Sequence, residues 1–129
     1  MRGEPSFTIS GIDRVEYMAL DATRAIAFYR DVLGLALESL APDESGAEFA
    51  LADGSTFGLW SDPGAPFHPS QGVLFAVDDL DAAVTALEAR GVVILRRMET
   101  PFCTMAFIHD TEGNEITLHQ RKAAASGAA

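Results

Sequence analysis

Apolar and polar positions run through the same order twice along this chain. Residues 14–19 (RVEYMA) alternate, so Val15, Tyr17 and Ala19 share one face and Arg14, Glu16 and Met18 the other. That period of two predicts a half-buried strand. A helix follows, with Ala25, Ile26, Tyr29, Val32 and Leu33 spaced by three and four into one apolar stripe. Asp21 or Thr23 supplies the side-chain oxygen that caps its first amides, and Gly34 the left-handed residue that ends it. Short strands are then expected at 35–40, 47–51 and 55–60, the last two joined by an Ala-Asp-Gly turn.

The second half repeats this order. Residues 73–77 place Val73, Phe75 and Val77 on one face. Asp79 or Asp81 caps a helix whose stripe is Leu80, Ala83, Val84 and Leu87, and Gly91 ends it. Further strands are expected at 92–97, 103–108 and 114–119, the last pair joined by the polar turn 110–113. Both halves read strand–helix–strand–strand–strand. Residues 14–21 (RVEYMALD) align with 72–79 (GVLFAVDD), and 54–60 (GSTFGLW) with 113–119 (GNEITLH), with apolar residues in the same phase. A slip of one residue would turn every side chain to the wrong face, so the shared phase argues for a duplication. Between the halves, 61–70 (SDPGAPFHPS) carries three prolines and a glycine and reads as a connector.

The expected organisation is one α+β domain over residues 1–129. It comprises a first module at about 10–61, the connector 61–70, a second module at about 71–121 and a small-residue tail at 122–129. A helix on one face of each sheet leaves the other face free to line a cleft. With 129 residues and 48% apolar content, the chain can bury a core without a staple. Its 9 basic and 19 acidic residues give a net charge of −10, which repels phosphate backbones and anionic lipid. Neither nucleic acid nor a membrane is an expected partner. The lone Cys103 cannot close an internal disulfide and fits a reducing compartment. No targeting leader or membrane span is expected, so the predicted location is cytoplasmic.

Three segments carry a resemblance. Residues 26–35 (IAFYRDVLGL), 75–81 (FAVDDLD) and 110–114 (DTEGN) resemble signatures of the vicinal oxygen chelate superfamily. That group includes glyoxalase I, bleomycin-resistance proteins, fosfomycin-resistance enzymes and extradiol dioxygenases. The resemblance spans about residues 10–121. It implies paired βαβββ modules with curved mixed sheets enclosing a cleft, helices on the outer face, and commonly a homodimer. It says far less about the reaction, because one fold hosts many chemistries.

Enzymes of the family typically hold one divalent metal through His, Gln or Glu on the opening and closing strands of each module. The positions that match here are Arg14, Gly58, Gly72 and Thr117. Arginine stays protonated, glycine has no side chain and threonine alone is a poor ligand, so the usual metal site is not expected. A displaced set is the alternative. Glu115, Thr117 and His119 share one face of the last strand, and with Glu16 they would bring two carboxylates and an imidazole together. Arg14 beside such a site would repel the metal.

The remaining candidates follow from their expected faces. Arg14 offers a guanidinium fork for a ligand carboxylate or phosphate, unless it pairs internally with Glu16 or Glu115. Glu16 becomes a general base only if burial raises its pKa. Trp60 and His119 occupy equivalent closing positions, Trp60 as a stacking wall or as packing, His119 as a weak acid/base candidate or a solvated side chain. Met105 and Phe107 would give an adaptable apolar lining beside Thr117. Cys103 lacks a basic neighbour in sequence and reads as a packed thiol. His68 lies in the connector. No glycine-rich phosphate loop, GxSxG, CxxC pair or HExxH occurs. The sequence therefore predicts a metal-free protein, with no cofactor, that binds a small organic molecule in an apolar cleft, in the manner of sequestration or resistance proteins. The alternative is a lyase, isomerase or dioxygenase of the same superfamily, using displaced ligands or metal-free acid/base residues.

Overall fold

The computed structural model describes residue 3 and residues 6–123; the remainder of the 122–129 tail lies outside the described residues. The elements run β1 (Val15–Met18), α1 (Ala22–Ala27), β2 (Ala36–Leu40), β3 (Gly46–Ala50) and β4 (Thr56–Trp60). After the connector come β5 (Val73–Ala76), α2 (Leu80–Ala89), β6 (Arg96–Glu99), β7 (Cys103–His109) and β8 (Glu115–Arg121). Each half forms its own open four-stranded mixed sheet, in the orders β1-β4-β3-β2 and β5-β8-β7-β6. The opening strand of each half pairs parallel with the closing one, Glu16 opposite Gly58 and Leu74 opposite Thr117. The fold is α+β with two copies of one βαβββ plan, and the register of the copies agrees with the phase of the sequence repeat.

Helix signals act where the sequence places them. Asp21 accepts from the Arg24 amide and Asp79 from the Ala82 amide, satisfying first-turn donors of α1 and α2. One departure lies at the end of the first helix. Phe28–Val32 widens into a π-helical turn, with the Leu33 amide bonded to the Phe28 carbonyl at 3.0 Å. The wider turn buries the consecutive rings of Phe28 and Tyr29, edge to face at 5.6 Å between centroids.

A second departure corrects the strand expected at 92–97. Gly91, at φ +84°, lets the Gly91 and Val92 amides turn back onto the Glu88 and Leu87 carbonyls. The helix exit therefore uses the amide that a strand would need. Regular pairing begins only at Arg96, and Val93 and Leu95 stay exposed.

The cores of the two halves are continuous. Phe57 lies against Tyr29 at 4.9 Å and edge-on to Tyr17 at 5.5 Å, and it meets Phe75 of the second half at 5.3 Å. Polar groups reinforce this seam. The Tyr17 hydroxyl donates to the Glu115 carbonyl at 2.6 Å and accepts from the Val73 amide at 2.9 Å. Burial pushes the Tyr17 phenol up, so it remains a neutral donor. Tyr29 donates to Asp110 at 2.7 Å, and burial, with the Asp110 charge next, raises its pKa far above that of a free tyrosine.

Candidate functional site

Strand alternation decides which side chains are free for function. Tyr17, Ala19, Ala47, Phe49, Phe57 and Leu59 are buried in the core against α1. Their neighbours Glu16, Glu48, Gly58 and Trp60 consequently point to the opposite face of the first sheet. A cavity of about 560 Å³ opens there, with Arg14, Glu16, Ser39, Glu48 and Trp60 among its walls.

Arg14 holds the centre of this site. Its guanidinium bonds Glu16 Oε2 at 2.8 Å through one terminal nitrogen and Glu48 Oε2 through the other. Ser39 Oγ donates to Glu48 Oε1 at 3.0 Å. Gly58 makes the arrangement sterically workable, because a Cβ there would sit 3.3 Å from Glu16 Cβ and 3.5 Å from its Oε2. One cation thus faces two carboxylates, with the half-exposed Trp60 indole beside them.

The other candidates lie elsewhere. Thr117 and His119 of β8 face the same side of the second sheet as Phe107 and Met105 of β7, their register partners. Arg96 covers the Phe107 ring, with its guanidinium carbon 4.0 Å from the centroid. Thr117 and Phe107 are buried, whereas His119 is half-buried. The structure therefore divides the expected cleft set. Arg14, Glu16 and Trp60 share one cavity lined by first-module residues, and Met105, Phe107, Thr117 and His119 form a separate face. Cys103 is buried, with its sulfur 3.2 Å from the Thr100 hydroxyl, and His68 is exposed on the connector.

The four positions matching the family's metal ligands offer no donor set. Arg14 is committed to two carboxylates, Gly58 is filled against Glu16, and Thr117 is buried beneath its neighbours. Gly72 has φ +115°, a backbone conformation that a histidine would adopt only with strain. The displaced set of Glu16, Glu115 and His119 is not brought together either. Among the described residues, no group of three or more His, Cys, Asp or Glu side chains is placed to hold a metal ion.

Glu48 and Ser39 escaped the sequence reading. Glu48 lies between Ala47 and Phe49 in a predicted strand, so its alternating phase already sends it away from the core. What the sequence withheld was the register that sets Glu48 opposite Gly58, and hence within reach of Arg14.

No helix among the described residues is long and apolar enough to cross a membrane. The chain resembles several known proteins over nearly its whole length. It is 31% identical to the uncharacterized protein YaeR of Escherichia coli (strain K12), over 86% of this chain and 98% of that one. TnmS3, an antibiotic binding protein from Streptomyces sp. CB03234, superposes with a TM-score of 0.77 at 27% identity, covering 90% of this chain and 99% of its own. Lactoylglutathione lyase from Agrobacterium tumefaciens shares the fold, with a TM-score of 0.74 at 23% identity and coverage of 87% and 94%. The family model described as Glyoxalase/Bleomycin resistance protein/Dioxygenase superfamily matches residues 11–118, and with its paired βαβββ modules the chain belongs to that family.

Proposed function

We propose that this protein binds a small organic molecule in the first-module cavity, without the family's metal, and holds it rather than transforms it. The observation that carries this reading is Arg14. At a position where the family commonly places a metal ligand, it forms ion pairs with both Glu16 and Glu48. A permanent cation at that point repels a metal and neutralises part of the carboxylate charge. The cavity of about 560 Å³ falls in the usual range for ligand pockets, and Trp60 supplies a flat wall. The likeness to an antibiotic binding protein at 27% identity supports the same reading.

An acid/base enzyme is less well supported. Glu16, the carboxylate best placed for a general base, already has one oxygen engaged by Arg14 at 2.8 Å. His119 lies on the other sheet.

The same reading includes a homodimer. First-module residues line the cavity, and a second copy would cover its mouth while burying apolar groups such as Leu74, Met98 and Phe102, which are exposed in one chain. The buried lone thiol fits a reducing, cytoplasmic setting.

The test is a thermal-shift screen of the purified protein against planar antibiotics, small oxo-acids and glutathione adducts, with metal content measured in parallel. The expected result is stabilisation by a planar ligand recovered unchanged, with metal far below one per chain. Stoichiometric metal, or conversion of the stabilising ligand, would overturn the proposal.

A further inference from the structure

The charges around the cavity specify the ligand more closely than its shape does, and this step rests on the binding reading above. Arg14 does not act as a free anion fork. Both terminal nitrogens of its guanidinium are engaged, one by Glu16 and one by Glu48. Against this single cation stand two carboxylates, so the walls keep an excess of one negative charge. Glu16 Oε1 accepts no hydrogen bond among the described residues, and Glu48 Oε1 accepts only from Ser39. Both oxygens retain lone pairs for an incoming donor.

Each of the three charged side chains is 39% exposed, so a ligand can reach them without unfolding the wall. Trp60 adds a second, independent preference, because an indole face attracts cations as well as flat rings. Gly46, the register partner of Trp60, leaves no side chain in the way, and a Cβ there would lie 3.1 Å from the Leu59 carbonyl oxygen.

We infer that the Glu16–Glu48–Trp60 wall selects planar aromatic ligands carrying a protonated amine, and rejects carboxylate-bearing analogues of the same size. The ring stacks on Trp60 while the ammonium donates to the free carboxylate oxygens, and Arg14 remains in place as a spacer between the two acids. A ligand carboxylate would face uncompensated repulsion, since the one nearby cation is already shared.

Trp60 is the only tryptophan, so its fluorescence reports occupancy directly. Three planar probes separate the outcomes: cationic 9-(aminomethyl)anthracene, neutral acridone and anionic anthracene-9-carboxylate. The cation should bind about tenfold or more tightly than the anion, with an advantage that shrinks as salt rises. Glu16→Gln and Glu48→Gln should each weaken the cation about five- to tenfold. Glu88→Gln, on the exposed side of α2, should leave it unchanged and thereby control for the general negative charge. Equal or tighter binding of the anion, or an equal loss in Glu88→Gln, would overturn the charge selection while leaving small-molecule binding intact. Acridone bound as tightly as the cation would do the same. If none of the three quenches Trp60 while a compound of the wider screen stabilises the protein, this inference falls and the binding reading stands.

Discussion

Glu112 of the second module receives Arg24 of the first, Nε to Oε2 at 2.9 Å, with the carboxylate side chain fully buried. The same carboxylate accepts from the Leu20 and Asp21 amides at 2.9 and 2.8 Å and from Thr111 Oγ1 at 2.7 Å. One acidic side chain in a turn thus fastens the start of α1 to the far end of the chain. Burial alone would raise its pKa, but hydrogen bonds from Arg24, the Asp21 amide and Thr111 outweigh that and hold it below the ordinary value.

Glu112→Gln should therefore lower stability by about 1–3 kcal/mol, the scale of charged hydrogen bonds lost at a buried site. The pH dependence has a definite sign. A carboxyl with a depressed folded pKa stabilises fully above its unfolded value, near about 4.3, and that stabilisation fades as pH falls through the folded value. Urea melts between neutral and acid pH should show a shallower acid decline in the variant than in the parent. Parallel declines would remove Glu112 from the account.

Tyr17 offers a second test of the seam between modules. Its hydroxyl both donates to the Glu115 carbonyl and accepts from the Val73 amide, linking β1 to the ends of β5 and β8. Tyr17→Phe keeps the ring against Phe57 but strands a buried amide, so a loss of about 1–3 kcal/mol is expected. Equilibrium denaturation measures it, and a change within error of zero would mean that water or another group satisfies Val73.

Much of this architecture is legible in the sequence, because it rests on local signals. The alternation in residues 14–19, the Asp21 and Asp79 caps and the exits at Gly34 and Gly91 each depend on a few adjacent residues. What was not legible depends on contacts between distant segments. The turn 110–113 reads only as polar in the sequence, yet Asp110, Glu112 and the following Asn114 are buried, since their partners Tyr29, Arg24 and the Met18 carbonyl lie more than eighty positions away. The same limit hid Glu48 from the site. The strand expected at 92–97 failed for a different reason: its β-branched residues fit a strand, but the preceding helix consumes the Val92 amide.

Cys103 gives a prediction about reactivity. The thiol is buried, its sulfur contacts the Thr100 hydroxyl at 3.2 Å, and the same hydroxyl accepts the Cys103 amide at 3.1 Å. A thiol-disulfide reagent needs access to the sulfur, so labelling should require local opening. Reaction with a chromogenic aromatic disulfide should be about a hundredfold slower in the folded protein than in urea. Comparable rates would show that the start of β7 opens readily.

Gly58 and Glu16 face each other across the β1–β4 pair, and their fit yields the most local prediction. An alanine methyl at 58 would press on Glu16 Cβ at 3.3 Å. Gly58 does not need its missing side chain for backbone reasons, because its φ is not positive. Alanine also lowers the entropy of the unfolded chain, which favours the variant by about 0.4–1 kcal/mol. In the parent, that gain is opposed by displacement of Glu16 and loosening of its pair with Arg14. In a Glu16→Ala background the crowding is relieved and only the gain remains. A double-mutant cycle should accordingly show Gly58→Ala less favourable with Glu16 present than without it, by about 0.5–1 kcal/mol. Binding of 9-(aminomethyl)anthracene should weaken in Gly58→Ala as well, since the displaced carboxylate is one of the two assigned to the ammonium. Strict additivity with unchanged binding would mean that the glycine is incidental to both the Arg14–Glu16 pair and the cavity.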